Sequence, residues 1–315
     1  MPHSPRISEE SLRTCLKEQY DLTSATLEYL PLGLDYSSAV YHAVSEKGTD
    51  YLLKVTSRPL YESQYLVPQY LNSQGITCVV APVSTRSGAL WAHLEDWRVV
   101  VYPFINGESS FKGMSAGQWE KLGTIFKRIH RIQLPPEGFN SLRQETFDSS
   151  EYVRWIQIFE DQLTLFEGGN TLERTLHASW IEHESSIRMK LASLEKLAVL
   201  LQARTIPHVI CHADLHPANV IRDDAGRVFI IDWDEVMLAP KERDFIFVSH
   251  PHAHAFFQGY GAAEVDDEVL AYYRLERVLQ DVIECARNVW LREDLDEDAK
   301  ADAIKLFQVI LAEEK

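Results

Sequence analysis

At 315 residues the chain exceeds one average domain and can bury a sizeable core, so its length allows a single large domain or two lobes sharing a cleft. Apolar residues make up 45% and charged residues 25%, with no repetitive, Pro/Ser-rich or low-complexity stretch, which excludes extended disorder. A formal net charge of −16 sets the surface field against nucleic acid and anionic membranes and favours a cationic ligand, although acidity that serves solubility accounts for the composition equally well.

The chain opens with ISEESLRTCLKEQY, where Ile7, Leu12, Cys15 and Leu16 fall near helical spacing and Ser8 can cap the start. Alternating or β-branched runs follow at Ala25–Leu30, Ala39–Ser45, Tyr51–Thr56, Ala89–Leu94 and Arg98–Phe104, punctuated by Gly33, Gly48 and Gly88. They predict one antiparallel sheet. Between the third and fourth runs, Leu60–Gln74 has a helical pattern that Pro68 should kink or divide and Gly75 should stop.

Beyond Phe104 the texture changes. AGQWEKLGTIFKRIHRI, EYVRWIQIFEDQLTLFE, the run Leu172–Arg204 and DDEVLAYYRLERVLQDVIECARNVWL all show 3.6-residue periodicity. The shift predicts a lobe boundary at Ile105–Ser115, giving a sheet lobe over 1–104 and a helical lobe over 105–315, an α+β architecture. No apolar run is long enough to cross a bilayer, and MPHSPRISEE lacks the apolar centre of a secretion signal. Cys15, Cys78, Cys211 and Cys285 stand singly, without a C-x-x-C, so a reducing cytoplasm is the expected compartment.

One stretch interrupts the helical half: CHADLHPANVIRDDAGRVFIIDWDE, Cys211–Glu235. Pairing Val228–Ile231 back on Asn219–Ile221 through the Asp223–Gly226 turn brings Asn219 and Asp232 to one end of a hairpin. Asp214 lies five residues before Asn219, so three oxygen-bearing side chains can line one rim. Hard oxygen donors with open positions suit Mg²⁺ on substrate phosphates, and a neighbouring carboxylate can take a hydroxyl proton. This is kinase-type chemistry, with the D-x-x-x-x-N spacing and a later strand-terminal Asp. His208, His212 and His216 recur every fourth residue but not on a helix; His212 reads as packed or hydrogen-bonded rather than as a zinc ligand. The HPHAH cluster at His250–His254 reads as a loop.

At these residues, His212-Ala213-Asp214 through Asn219 and then IDWD, the chain resembles the aminoglycoside phosphotransferase family. YPFI at Tyr102–Ile105, QWEKLG at Gln118–Gly123, IDWDEVMLAPKERD at Ile231–Asp244, and GYG with YYRLER at Gly259–Arg277 are similar to its spectinomycin-phosphorylating branch. The resemblance implies a bilobal protein kinase-like fold and transfer of the ATP γ-phosphate to a hydroxyl of an aminocyclitol, with GTP left open as the donor. It implies that Asp214 is the base or hydroxyl-orienting group, that Asn219 and Asp232 hold Mg²⁺, and that Asp244 steadies the catalytic loop. It further implies that Lys54 meets the nucleotide phosphates, with Glu62 as its partner on the next helix. The segment from Tyr102 to Phe104 is expected to offer backbone groups to adenine.

The phosphate-covering loop has one glycine, Gly33, so Ser37 and Ser38 are expected to donate as well. Asp234 and Glu235 read either as a solvated turn or as a site for substrate amines. Tyr273 and Asp281 are candidates for the cleft on a helix whose pattern is otherwise amphipathic. Two other readings share the catalytic loop: a metabolic alcohol kinase for choline, homoserine or methylthioribose, and a nucleotide-binding module without transfer activity.

Overall fold

The computed structural model describes residues 7–31, 38–135, 137–166, 168–262 and 264–312. Gly33 and Ser37 lie outside the described residues. The chain divides into two compact units, one built from 2–144 with 208–263 and the other from 145–207 with 264–315. This division follows packing, whereas the boundary expected at residue 104 follows the change in secondary-structure texture. The two lines differ because the segments around the catalytic-loop motif bond to the sheet-bearing half of the chain.

In the first unit, helix α1 (Glu9–Tyr20) starts at Ser8, whose hydroxyl accepts the Ser11 N–H. Its buried residues Leu12, Cys15 and Leu16 lie on Leu53, Val55, Val99 and Val101 of an antiparallel sheet. The sheet contains β1 (Ser24–Leu30), β2 (Ser38–Ser45), β3 (Asp50–Thr56), β4 (Ala92–Leu94) and β5 (Trp97–Pro103), in the order β1-β2-β3-β5-β4. Strand alternation sends Leu53 and Val55 toward α1 and therefore turns Lys54, paired with Val40 and Val100, to the other face. Helix α2 (Ser63–Ser73) runs through Pro68 as one element and ends before Gly75, whose φ of +80° reverses the chain. The expected division at Pro68 does not occur. The strand expected from Ala89 begins only at Ala92, because residues 85–89 close a turn in which the Thr85 N–H bonds the Ala89 carbonyl.

Five short strands complete this unit. Strand β7 (Val209–Cys211) pairs with β10 (Met237–Ala239), and β8 (Val220–Asp223) lies between β6 (Gly107–Ser109) and β9 (Val228–Ile230). The β8–β9 turn is fixed by the Asp223 carboxylate, which accepts the Arg227 N–H, and by Gly226 at φ +76°. Ile230 exchanges backbone hydrogen bonds with Cys78 and Val80, tying the hairpin to the chain beyond α2. β6 lies where a boundary loop was expected; being three exposed residues, it carries no alternation to read. Helices α3 (Ala116–Ile129) and α6 (Ala253–Tyr260) touch at glycines: a Cβ on Gly123 would sit 2.0 Å from the Phe256 carbonyl oxygen, and one on Gly259 1.8 Å from that of Glu120.

The second unit is helical: α4 (Ser150–Thr164), α5 (Thr171–Gln202), α7 (Asp267–Trp290) and α8 (Glu297–Ala312). Asn170 and Glu173 form a capping box at the start of α5, and Asp266 caps α7. Their apolar stripes meet in an aromatic cluster, with Trp180 centred 5.4 Å from Phe159 and 5.7 Å from both Trp290 and Phe307. No helix among the described residues is long and apolar enough to cross a membrane.

Candidate active site

β7 ends at Cys211 and delivers His212, Ala213 and Asp214 to a loop. Ala213 has φ +69°, a conformation costing a non-glycine residue about 1–2 kcal/mol, so neighbouring contacts must hold it. Asp244 supplies them: fully buried, its carboxylate accepts the His212 N–H at 3.0 Å and the Ala213 N–H at 2.8 Å. His130 Nε2 meets the same carboxylate at 3.0 Å, and its Nδ1 meets the Tyr260 hydroxyl at 2.8 Å. The His212 ring fixes the next turn. Its Nδ1 accepts the Asp214 N–H at 3.3 Å, so Nε2 is the donor to the Ile231 carbonyl at 2.8 Å.

That last bond joins the loop to the hairpin. Ile231 donates its N–H to the Asn219 carbonyl at 3.1 Å, which places Asn219 and Asp232 at the same hairpin end. Asn219, buried, turns its amide nitrogen to the Asp214 carbonyl at 2.9 Å and approaches Asp214 Oδ2 at 3.5 Å. An amide oxygen would be repelled there, so the nitrogen faces Asp214 and Asn219 Oδ1 faces away from that carboxylate. His216 accepts the Ala218 N–H at Nδ1 and faces Asp214 Oδ2 with Nε2 at 3.4 Å. Asp214 is thereby held from three sides while its side chain keeps 24% exposure, enough to meet a substrate.

Asp232 is also left-handed, φ +58°, which turns its carboxylate off the strand toward Lys54. Lys54 Nζ donates to Asp232 Oδ1 at 3.0 Å and to Asp234 Oδ2 at 2.7 Å. Burial would depress the lysine pKa, but Asp232 and then Asp234 reverse this and hold it above its ordinary value, which favours the ammonium form. The two carboxylates move apart. Partial loss of surrounding water tends to raise Asp232, yet the Lys54 charge outweighs it and the group stays below the ordinary aspartate value. Burial, then the adjacent Asp232 charge, raise Asp234 above it.

Asp214, Asn219, Asp232 and Lys54 thus come together, with His212 and Asp244 beneath them. Other expected site residues have partners within the chain. Glu62 is exposed at the start of α2, and the partners of Lys54 are Asp232 and Asp234. Asp234 and Glu235, read as possible sites for substrate amines, face cations of their own chain: Lys54 and Arg58 for Asp234, Arg143 at 3.1 Å for Glu235. Phe104 donates its N–H to the Asp50 carbonyl, and Tyr102 is paired with Leu52 in the ladder. By alternation the outward groups of this segment are the Pro103 carbonyl and the Ile105 N–H. The Ser38 hydroxyl bonds that of Thr56 at 2.9 Å. Tyr273 and Asp281 belong to the second unit, where Tyr273 is buried against Phe147 and Asp281 accepts from Arg277.

Sequence reasoning missed His130, Tyr61 and Arg143. His130 ends an amphipathic helix and carries no local signal beyond that position. Arg143 lies in a loop; its guanidinium donates to the Asp234 carbonyl and lies 4.4 Å from the Tyr61 ring centroid, while the Tyr61 hydroxyl donates to the Val236 carbonyl at 2.6 Å. Such pairings are set by tertiary contact alone. His130, Cys211 and Asp244 also cluster closely enough to suggest a metal site. Their chemistry points elsewhere: both Asp244 oxygens accept backbone N–H groups, and burial raises the Cys211 thiol well above its ordinary pKa, keeping it a proton donor to the Ala239 and Pro240 carbonyls.

A sheet-borne lysine facing a D-x-x-x-x-N loop and a hairpin-end aspartate defines a kinase-type phosphotransferase. The chain belongs to the phosphotransferase enzyme family, whose model matches residues 28–282. Among solved structures it is similar to spectinomycin phosphotransferase, APH(9)-Ia, in complex with ADP and spectinomycin: 26% identity, TM-score 0.88, covering 96% of this chain and 94% of that one. Amicoumacin kinase in complex with AMP-PNP, Ca²⁺ and Ami shares the fold at 18% identity and TM-score 0.65, covering 98% and 95%. So does choline kinase from Streptococcus pneumoniae, at 18% and TM-score 0.62, covering 97% and 99%. No curated protein sequence matches the chain significantly.

Proposed function

We propose that the protein transfers the γ-phosphoryl group of ATP to a hydroxyl of an aminocyclitol antibiotic of the spectinomycin type. The observation that carries this reading is the convergence of Asp214, Asn219, Asp232 and Lys54; the 26% identity to the spectinomycin enzyme over nearly the whole chain supports the acceptor. The acceptor oxygen forms a bond to γ-phosphorus as the bond to the β-bridging oxygen breaks, and ADP leaves. Because such transfer passes through a loose transition state, alignment and charge neutralisation matter more than a strong base. Asp214 orients the hydroxyl and takes its proton as the new bond forms.

Lys54 offers its fixed positive charge to the nucleotide phosphates. The Pro103 carbonyl and Ile105 N–H serve adenine. Asn219 Oδ1 and the ionised, 44% exposed Asp232 carboxylate fit a hard divalent cation such as Mg²⁺. When bound, that ion would neutralise charge on the β- and γ-phosphates. The net charge of −16 favours a cationic acceptor, and cysteines that are all free suit the cytoplasm.

The test is ATP turnover with Mg²⁺ against spectinomycin, choline, homoserine and methylthioribose, with products identified by mass spectrometry. The reading expects phosphorylated spectinomycin. Turnover confined to another alcohol would replace the acceptor, and ATP binding with no transfer to any alcohol would overturn the enzymatic reading.

A further inference from the structure

We infer that Asp234, two residues beyond the hairpin-end aspartate, is the positioning partner of Lys54, in the place that a helix-borne glutamate fills in protein kinases. The inference rests on the phosphotransferase reading and goes beyond it. In protein kinases the strand lysine must be paired to a glutamate of the following helix, and movement of that helix controls activity. Here the helix candidate, Glu62, is exposed at the start of α2, while Asp234 Oδ2 lies 2.7 Å from Lys54 Nζ.

Asp234 is itself fastened from several directions. Arg58 Nη1 stands 3.7 Å from the same oxygen, and Arg143 donates to the Asp234 backbone carbonyl at 3.0 Å. Arg98, buried, anchors the Arg58 segment by donating to the Arg58 carbonyl at 2.8 Å. Tyr61 secures the segment downstream through the Val236 carbonyl. Among the described residues, 234–236 are therefore clamped by Arg58, Tyr61 and Arg143 rather than by the Glu62 carboxylate. A consequence follows for nucleotide binding. Phosphates arriving at Lys54 can displace the more exposed Asp232, which is then released toward a cation, while Asp234 keeps the ammonium in place.

The experiment compares Glu62→Gln, Asp234→Asn, Lys54→Met and the Lys54→Met/Asp234→Asn double variant of the full chain. Two readouts are taken: steady-state transfer, and the rate at which Lys54 is acetylated by an amine-acylating reagent in ligand-free protein, followed by mass spectrometry. Asp234→Asn is expected to speed Lys54 acetylation about tenfold, consistent with loss of a charge-assisted hydrogen bond. It should also lower kcat by about thirtyfold or more, whereas Glu62→Gln stays within about threefold in both. In the Lys54→Met background, Asp234→Asn should add little further loss, since its effect acts through the missing ammonium.

A Glu62→Gln variant that matched Asp234→Asn would overturn the assignment, as would full additivity in the double variant, the mark of a merely structural role. Glu62 is exposed, so its substitution leaves folding intact even if an Asp234 variant does not fold. Should wild type transfer phosphate to no alcohol, the acetylation rates still decide whether Asp234 or Glu62 holds Lys54.

Discussion

In the helical unit, Trp180 lies among Phe159, Trp290 and Phe307, and apolar stripes on four helices supply the contacts. In the segments 211–219 and 231–236, Ala213 and Asp232 occupy left-handed backbone, and polar groups hold them there: Asp244, His212, Asn219 and Lys54. Apolar contact is additive and forgiving of direction. Polar contact fixes direction, which a site that aligns a hydroxyl with a phosphoryl group requires, and it allows local strain to persist. The two regions should respond differently to the same kinds of change.

The largest effect on stability is expected in the helical unit. Trp180→Ala removes the centre of its aromatic cluster and should cost about 3–5 kcal/mol, read from denaturant unfolding followed by helical circular dichroism. Asp244→Ala comes next, at roughly 2–4 kcal/mol, because the His212 and Ala213 N–H groups and His130 lose their acceptor. The contrast is sharpened by activity. Asp244→Ala should reduce transfer more steeply than its residual folded fraction explains, whereas Trp180→Ala should lose activity only in step with unfolding.

Acidity separates two carboxylates within the polar segment. A carboxylate held below its ordinary pKa, as Asp232 is, contributes stability above about pH 4 that is lost as pH falls through the lowered value. A raised carboxyl, as Asp234 is, stabilises relatively below about pH 4 and loses that contribution as pH rises through its folded value. The melting temperature of Asp234→Asn, minus that of wild type, should therefore increase from pH 4 to pH 7. A difference that fell with pH would reverse the sign assigned to that site. The smallest effect is a matched pair. Substituting the buried Ala198 of α5, as Ala198→Gly, should cost about 1 kcal/mol or more, while Ala213→Gly, relieved of its left-handed strain, should be neutral or stabilising by up to about 1 kcal/mol.

The same distinction explains what could be read from the chain. The periods of β2, β3 and β5 and of α3, α5 and α7 are carried by consecutive residues, so their positions were legible to within a few residues. Asp214, Asn219 and Asp232 were legible because a tight hairpin makes their convergence a local matter. Helix α6 was hidden behind Pro251 and its histidines, and β6 and β10 are three residues each, too short for a period. The partner of Lys54 was misread for another reason. Glu62 is near it in sequence, but Asp234, 180 residues away, is brought to it by the Arg58, Arg143 and Tyr61 contacts that no spacing encodes.

The most direct measurement is phosphate transfer by Asp214→Asn beside its affinity for ATP. If Asp214 orients the acceptor within the cradle of Asn219, Asp232 and Lys54, kcat should fall by about 10²–10⁴-fold while ATP affinity changes by no more than about twofold. Wild-type turnover in that variant would contradict the role of the constellation in phosphoryl transfer.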